Sequence, residues 1–303
     1  IISRNESPDI SFDQSVNPYR GCEHGCIYCY ARPGHAFLGH SPGLDFETEL
    51  YAKTNAAELL ERAFGKASYE PKTIALGAVT DPYQPIERRY EITRQLLDVM
   101  DRCSHPVGIV TKSAMVLRDI DILSRLAERR LVKVALSITT LDRKLARAME
   151  PRAATPARRL DAIRALAEAG VPTTIMTAPI IPGLNDHEIE AILEAGRDAG
   201  AESAAYVLLR LPLELKELFR EWLATEFPDR AKKVIKLLRE MHGGRDYLPA
   251  FGQRQRGSGP MAALIARRFQ AAIKRLGLNE RRLGMRTDLF RHPNSTGRQL
   301  ALL

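Results

Sequence analysis

The stretch "VGIVTKSAMVLRDIDILSRLAERRLVKVALS", residues 107–137, contains the alternation that decides the fold. Two short and almost continuously apolar runs, Val107–Thr111 and Val132–Ser137, predict buried parallel strands. Between them, from Leu117 to Arg129, apolar residues recur every three or four positions, which is typical of an amphipathic helix. A strand, a helix and a strand at this spacing predict a right-handed βαβ unit within a parallel sheet.

The same alternation extends along the chain in both directions. About six strand–helix repeats predict an α/β fold, a partial (β/α)6 barrel of parallel strands, because a closed barrel of this type has about eight. The other predicted strands are Ser15–Tyr19, Thr73–Ala78, Thr173–Ala178 and Ser203–Leu208, and the other predicted helices are Ala56–Phe64, Ile92–Met100, Pro156–Ala169 and Asp186–Ala199.

Beyond Arg210 the pattern changes to helices alone. We therefore predict an N-terminal extension at residues 1–14, a partial barrel with a cysteine loop at 15–212, and a helical basic C-terminal extension at 213–303. The extension's predicted helices are Leu213–Thr225, Arg230–Met241 and Pro260–Leu276.

The bulk composition indicates a globular protein with a sizeable core. Of the 303 residues, 45% are hydrophobic and 27% are charged. No apolar run approaches the ~20 residues that span a bilayer, so we expect no membrane contact. Four cysteines in a chain of this length do not form a disulfide framework, and their clustering favours a metal and a reducing compartment. We expect a cytoplasmic monomer.

The net charge of +8 is concentrated in the C-terminal tail. From Arg254 to Leu303, eleven Lys or Arg face two acidic residues, whereas the first 253 residues contain 34 basic and 35 acidic residues. Such a block is typical of either a nucleic-acid footprint or a solvated surface. The candidate nucleic-acid contacts are Arg254, Arg256, Arg281, Arg282 and Arg286.

Three of the four cysteines, Cys22, Cys26 and Cys29, lie within eight positions. A structural zinc ion needs four ligands, so one of His24, His35, His40 or the distant Cys103 would have to complete the set. An iron–sulfur cluster is held by thiolates, and three cysteines would leave one iron of a four-iron cluster without a protein ligand.

These motifs resemble those of a known family. The C-x3-C-x2-C spacing, with Tyr28 before the last cysteine, is similar to the signature of the radical S-adenosylmethionine (SAM) superfamily. The segments NPYRGCEHGCIYCYAR (17–32), TDPYQPIE (80–87), TKS (111–113) and SITT (137–140) resemble its spore photoproduct lyase-like branch, over roughly Ser11 to Pro212. The resemblance implies a [4Fe-4S] cluster on the three cysteines and SAM on its open iron. It also implies an electron donor such as flavodoxin or ferredoxin, and cleavage of SAM to a 5′-deoxyadenosyl radical.

The resemblance also implies roles for side chains at the strand ends. Thr80 and Asp81 would meet the methionine amino group of SAM, Lys112 its carboxylate and Ser137 its ribose. Each has a structural alternative: a turn for Thr80 and Asp81, and simple solvation for Lys112. The adenine would lie against Tyr28, Ala178 and Pro179.

One departure separates the chain from spore photoproduct lyase. The lyase uses a cysteine after its second strand to return a hydrogen atom, and here Ala78 or Val79 occupies that place. This argues against a thymine-dimer substrate. Cys103 lies elsewhere and is interpreted as a buried thiol, and the candidate substitutes are Tyr30, Tyr83 and Tyr206.

The sequence thus predicts a radical SAM enzyme that repairs or modifies a nucleic acid or nucleotide. Two alternatives remain open: radical SAM modification of a protein or small molecule, and a zinc-stabilised nucleic-acid-binding module without catalysis.

Overall fold

A seven-stranded sheet forms the centre of the molecule within residues 1–280 and 284–293, the part that the computed structural model describes. Its strand order is β1-β2-β5-β6-β7-β8-β9, in which β1 is antiparallel and the other six strands are parallel. The predicted partial barrel is therefore confirmed. Within the described residues, β1 and β9 do not pair, so the barrel has an open seam. The strands are β1 Ile2–Arg4, β2 Gln14–Val16, β5 Ile74–Leu76, β6 Val107–Thr111, β7 Val132–Ser137, β8 Thr173–Ile180 and β9 Ser203–Leu208.

The first parallel strand differs from the prediction of Ser15–Tyr19. The strand β2 ends at Val16, and Tyr19–Arg20 forms a separate strand, β3, which pairs with β4 at Tyr51–Ala52 in a two-stranded sheet. Pro18 separates the two segments, and because proline has no backbone N–H it interrupts the ladder. The chain therefore leaves the main sheet just before the cysteine loop.

The helices α2, α4, α5, α7 and α8 follow the predicted alternation. Two predicted helices begin with a 3₁₀ turn, at Ala114–Asp119 before α5 and at Asp186–Glu188 before α8. The short helices α1, α3 and α6 were not predicted. The helices are α1 Asp45–Thr48, α2 Ala56–Phe64, α3 Glu87–Tyr90, α4 Ile92–Arg102, α5 Ile120–Glu128, α6 Arg143–Met149, α7 Pro156–Glu168, α8 Ile189–Asp198, α9 Leu215–Glu226, α10 Pro228–Met241 and α11 Gly259–Leu276.

The two faces of the parallel sheet differ in burial. Ile109, Leu136 and Ile175 are fully or almost fully buried beneath the outer helices, and Ile175 approaches Gly196 of α8 so closely that a Cβ there would lie 2.2 Å from its Cδ1. The alternate residues, including Val110 and Met176, are half-buried on the concave face. Successive strand residues point to opposite faces, so the half-buried residues all lie on the concave face. Their partial exposure leaves that face accessible to ligands.

The C-terminal helices attach to the barrel at two places. The helices α9 and α10 share a core with the cysteine loop, in which Phe219 and Leu238 pack with Cys26 and Tyr28. The helix α11 packs on α8. None of the helices in the described ranges is both long enough and apolar enough to cross a membrane.

Candidate active site

The cysteine loop lies between β3 and the 3₁₀ helix Arg32–Leu38, at the carboxyl ends of the parallel strands. Cys22 and Cys26 are buried, and Cys29 is half-buried. The loop docks on the end of α6, where the Ile27 N–H donates to the Met149 carbonyl at 3.0 Å. This is the edge of a βα barrel at which ligands generally bind.

Arg32 holds the loop from one side. Its side chain is 2% exposed, its Nε donates to the Cys26 carbonyl at 3.0 Å, and one terminal nitrogen donates to the Gly43 carbonyl at 2.7 Å. An ion pair with Glu47 satisfies the remaining charge. A buried arginine that is fully hydrogen-bonded fixes the backbone of the loop that it contacts.

A buried network holds the loop from the other side. The Tyr28 hydroxyl donates to Glu150, and Thr139 Oγ1 donates to the same carboxylate at 2.5 Å. Arg159 pairs with the other Glu150 oxygen and donates to the Ser137 carbonyl at 2.8 Å. Burial by itself would raise the pKa of Glu150, but the charges of Arg159 and Lys112 outweigh burial and lower that pKa to about 2. Glu150 is therefore a carboxylate that orients Tyr28.

Asp81 connects the loop to the ends of two strands. Its carboxylate accepts from Thr111 Oγ1 and from the Lys112 N–H, both at 2.7 Å, and lies 3.3 Å from His24 Nδ1. Burial opposes ionisation, but His24 and these hydrogen bonds lower the pKa of Asp81 to about 2. Its neighbour Thr80 donates to the Tyr19 carbonyl at 3.1 Å. Both predicted cofactor contacts are thus occupied by bonds that shape the loop.

Lys112 lies at the mouth of the barrel, where its charge acts on Glu150 from beyond ion-pair distance. Its Nζ is 5.7 Å from the centroid of the Tyr28 ring, and within the described ranges no carboxylate pairs with it. Strand alternation places Ser137 on the same concave face as Lys112, and the Ala178 carbonyl lies 3.3 Å from Thr139 Oγ1. The structure therefore gathers Tyr28, Lys112, Ser137, Ala178 and the following Pro179 at one rim.

The donor set fits an iron–sulfur cluster better than a zinc ion. His24 contacts Asp81, His35 Nε2 lies 2.9 Å from the Glu49 carbonyl, and His40 Nε2 lies 2.5 Å from the Tyr51 hydroxyl. Cys103 is buried in the outer core, apart from the loop. Among the described residues, no three His, Cys, Asp or Glu side chains are placed to share one metal ion.

Burial raises the pKa of the Cys22 and Cys29 thiols, and it raises the pKa of Cys26 to about 12, with Glu150 adding to the effect. Binding to a metal centre would therefore have to displace these protons. Three soft sulfur donors that cannot recruit a fourth are suited to a cluster with one open iron.

The predicted nucleic-acid contacts that the structure describes each have a different partner within the protein. Arg254 pairs with Asp9, Arg256 lies 4.0 Å over the ring of Tyr206, and Arg286 pairs with Asp288 at 2.6 Å. Arg281 and Arg282 lie outside the described residues.

Of the three candidate tyrosines, only Tyr30 is exposed and lies beside the cysteines. Its hydroxyl donates to the Ala78 carbonyl. Tyr83 is buried against Asp119, and Tyr206 packs on Phe269 of α11.

Comparisons with known proteins agree with this geometry. A family model described as the Radical SAM superfamily matches residues 16–196. The chain belongs to the radical SAM superfamily. An uncharacterized protein of Mycobacterium tuberculosis is 35% identical over 242 residues, which cover 79% of this chain and 70% of that protein. A radical SAM Nalpha-GlyT isomerase of Pseudomonas phage M6 is 26% identical over 236 residues, which cover 76% of this chain and 46% of the isomerase.

A solved structure has the same fold. A spore photoproduct lyase mutant with bound AdoMet and dinucleoside spore photoproduct superposes with a TM-score of 0.64 at 18% identity, over 90% of this chain and 77% of the lyase. Membership of the superfamily indicates an enzyme and implies SAM and a [4Fe-4S] cluster as cofactors.

Several residues that shape this radical SAM site were not predicted. His24, Glu150 and Arg159 act through contacts that are distant in sequence. The sequence pattern around Arg159 could have revealed its role. Arg159 lies at helical spacing on the apolar face of α7, which also contains Ala162, Ile163 and Leu166. A charged residue on a buried face requires a buried partner.

We predict that Arg159→Met destabilises the protein by about 3 to 5 kcal/mol, because Glu150 would remain buried without its partner. Arg158→Met is the matched control, since the neighbouring Arg158 is exposed on the same helix. Urea unfolding followed by circular dichroism measures both variants. Equal effects of the two substitutions would contradict the role given to the buried pair.

Proposed function

We propose that Cys22, Cys26 and Cys29 bind one [4Fe-4S] cluster and leave one iron for SAM. The observation that carries this proposal is three thiols on one loop at the barrel mouth, with the candidate histidines engaged elsewhere and Cys103 apart. When bound, the cluster supplies the electron that cleaves SAM to a 5′-deoxyadenosyl radical. A flavodoxin or ferredoxin would supply that electron from outside.

The rim residues would orient SAM. The ammonium of Lys112 would bind the SAM carboxylate, and the Ser137 hydroxyl would bind the ribose. Tyr28, which Glu150 holds in place, would lie against the adenine together with Ala178 and Pro179. Asp81 would act mainly by fixing the backbone of Lys112, and Thr80 by fixing the start of the loop. The AdoMet bound in the lyase structure supports SAM as the cofactor.

Each of Cys22→Ala, Cys26→Ala and Cys29→Ala should remove the iron and acid-labile sulfide of anaerobically reconstituted protein, because each removes one ligand. Cys103→Ala is the matched control and should keep both, since Cys103 packs in the outer core. Iron and sulfide analysis measures the result. Loss of the cluster in Cys103→Ala, or stoichiometric zinc in the purified protein, would refute the assignment.

Lys112→Gln should weaken SAM binding about 10- to 100-fold, because a charge-assisted hydrogen bond contributes about 1.5 to 3 kcal/mol. Lys144→Gln, on the exposed surface of α6, removes the same charge elsewhere and should have no effect. Equilibrium binding to cluster-loaded protein measures both. Equal affinities in the two variants would show that Lys112 does not contact the cofactor.

We further propose a nucleic acid or nucleotide as the substrate. Two arginines near the open seam lie over an aromatic ring and form no ion pair with a described residue: Arg210 over Tyr30 at 4.7 Å and Arg256 over Tyr206 at 4.0 Å. Combined cations and aromatic rings are the usual means of binding single-stranded nucleic acid. The dinucleoside photoproduct in the lyase structure supports the same substrate class. Because Ala78 or Val79 stands where the resemblance would place the lyase cysteine, we propose a reaction other than thymine-dimer repair.

Single-stranded DNA or RNA should bind with an affinity that falls as salt rises. Arg256→Gln should reduce the slope of log K against log salt by about 0.7, the value for one lost contact to a single strand. Arg268→Gln is the control, because the Arg268 charge is already paired with Glu190 at 2.5 Å. An unaltered protein without salt-dependent affinity for either polymer would favour a protein or small-molecule substrate.

A further inference from the structure

Tyr30 and Arg210 together span the mouth of the barrel beside Cys29. Tyr30 follows Cys29 directly, and its hydroxyl donates to the Ala78 carbonyl beyond the end of β5. Arg210 follows the end of β9 on the other side of the sheet, and its guanidinium carbon lies 4.7 Å from the Tyr30 ring centroid. The pair therefore joins the two sides of the mouth where a substrate must approach the cysteine loop.

The Arg210 guanidinium is only partly neutralised, because the charges of Arg210 and Asp9 act on each other without forming an ion pair among the described residues. Its Nε is buried and has no hydrogen-bond partner, and no carboxylate among residues 1–280 and 284–293 pairs with it. The nearby Asp9 is already engaged, because it accepts from the Gly252 N–H at 2.6 Å and pairs with Arg254. A buried donor left without a partner is unfavourable, and such a group in a native structure calls for an explanation.

Two cations without an ion-pair partner among the described residues thus flank the loop, each beside one of the tyrosines next to Cys29. Lys112 lies 5.7 Å from the Tyr28 ring, and Arg210 lies over the Tyr30 ring. The proposed cofactor contains one carboxylate, which Lys112 would bind. Arg210 is then left for an anion of the second reactant.

We propose that Arg210 and Tyr30 form the substrate's anion site, in which Arg210 binds one phosphodiester of a nucleic acid. The two terminal nitrogens of arginine form a planar fork that matches two phosphate oxygens. Tyr30 is 44% exposed, so the part of its ring not covered by Arg210 can stack against a base. Such a phosphate contact would set the register of the strand, and the neighbouring base would enter the mouth. This inference rests on the proposed nucleic-acid substrate.

The test compares two single-stranded DNA hexamers of one sequence, with a phosphodiester or a neutral methylphosphonate backbone, on cluster-loaded protein. The unaltered protein should prefer the phosphodiester, and Arg210→Gln should lose about tenfold or more of that affinity with unchanged affinity for the methylphosphonate. Arg210→Lys keeps the charge but loses the fork. Its affinity for the phosphodiester hexamer should fall between those of the unaltered protein and Arg210→Gln. Arg158→Gln, on the exposed surface of α7, should change neither affinity. Circular dichroism and iron content establish that each variant is folded and loaded.

Each other outcome overturns the inference in a recognisable way. If Arg210→Gln binds both hexamers like the unaltered protein, or weakens both equally, Arg210 does not bind a phosphate. If Arg210→Gln does not fold, unaltered phosphodiester binding in Arg210→Lys overturns the inference instead. If a tetraglutamate peptide binds more tightly than the hexamer and depends on Arg210, the anion is a carboxylate. If the unaltered protein binds neither hexamer, the nucleic-acid substrate itself is wrong.

Discussion

The placement of three thiols, two of them buried, on a loop with almost no regular structure is the constraint on which the rest of the site depends. The loop lies between a two-residue strand and a 3₁₀ helix, so its own backbone hydrogen bonds cannot hold it. Charged side chains hold it instead. Arg32 with Glu47, Asp81 with His24, and Glu150 with Arg159 connect the loop to its neighbours on several sides.

These buried charges stabilise one geometry more than they stabilise the fold. Removing an ion from water is expensive, and a buried pair often contributes little net stability. Each carboxylate here is nevertheless bound by several donors: Asp81 fixes Lys112, and Glu150 fixes Tyr28. The partial barrel provides the strand ends to which these groups attach, and its half-buried concave face leaves room beside the cysteines. The arrangement of the loop and the proposed binding of the cofactor would therefore be coupled through the same side chains.

The sequence predicted the barrel because strand and helix periods are local properties. Val107–Thr111, Val132–Ser137 and Ser203–Leu208 have the bounds that their apolar runs indicate. The strand near Tyr19 was wrong because Pro18 divides it between two sheets. The network around Glu150 was missed because its members meet only after folding. The prediction for the basic tail used the charge count alone. In the structure, acidic residues pair with four of its arginines: Arg254, Arg268, Arg275 and Arg286.

The transfer of a hydrogen atom tests the central claim most directly. Reduced, cluster-loaded protein would be incubated anaerobically with SAM and, in separate reactions, with fully deuterated nucleic acid, protein or small metabolites of the source cell. Mass spectrometry of 5′-deoxyadenosine and of SAM then shows which pool donates the atom. The account predicts that deuterium appears in 5′-deoxyadenosine or in SAM only when the nucleic acid is the deuterated pool. Deuterium from the protein or metabolite pool, with none from nucleic acid, would contradict it.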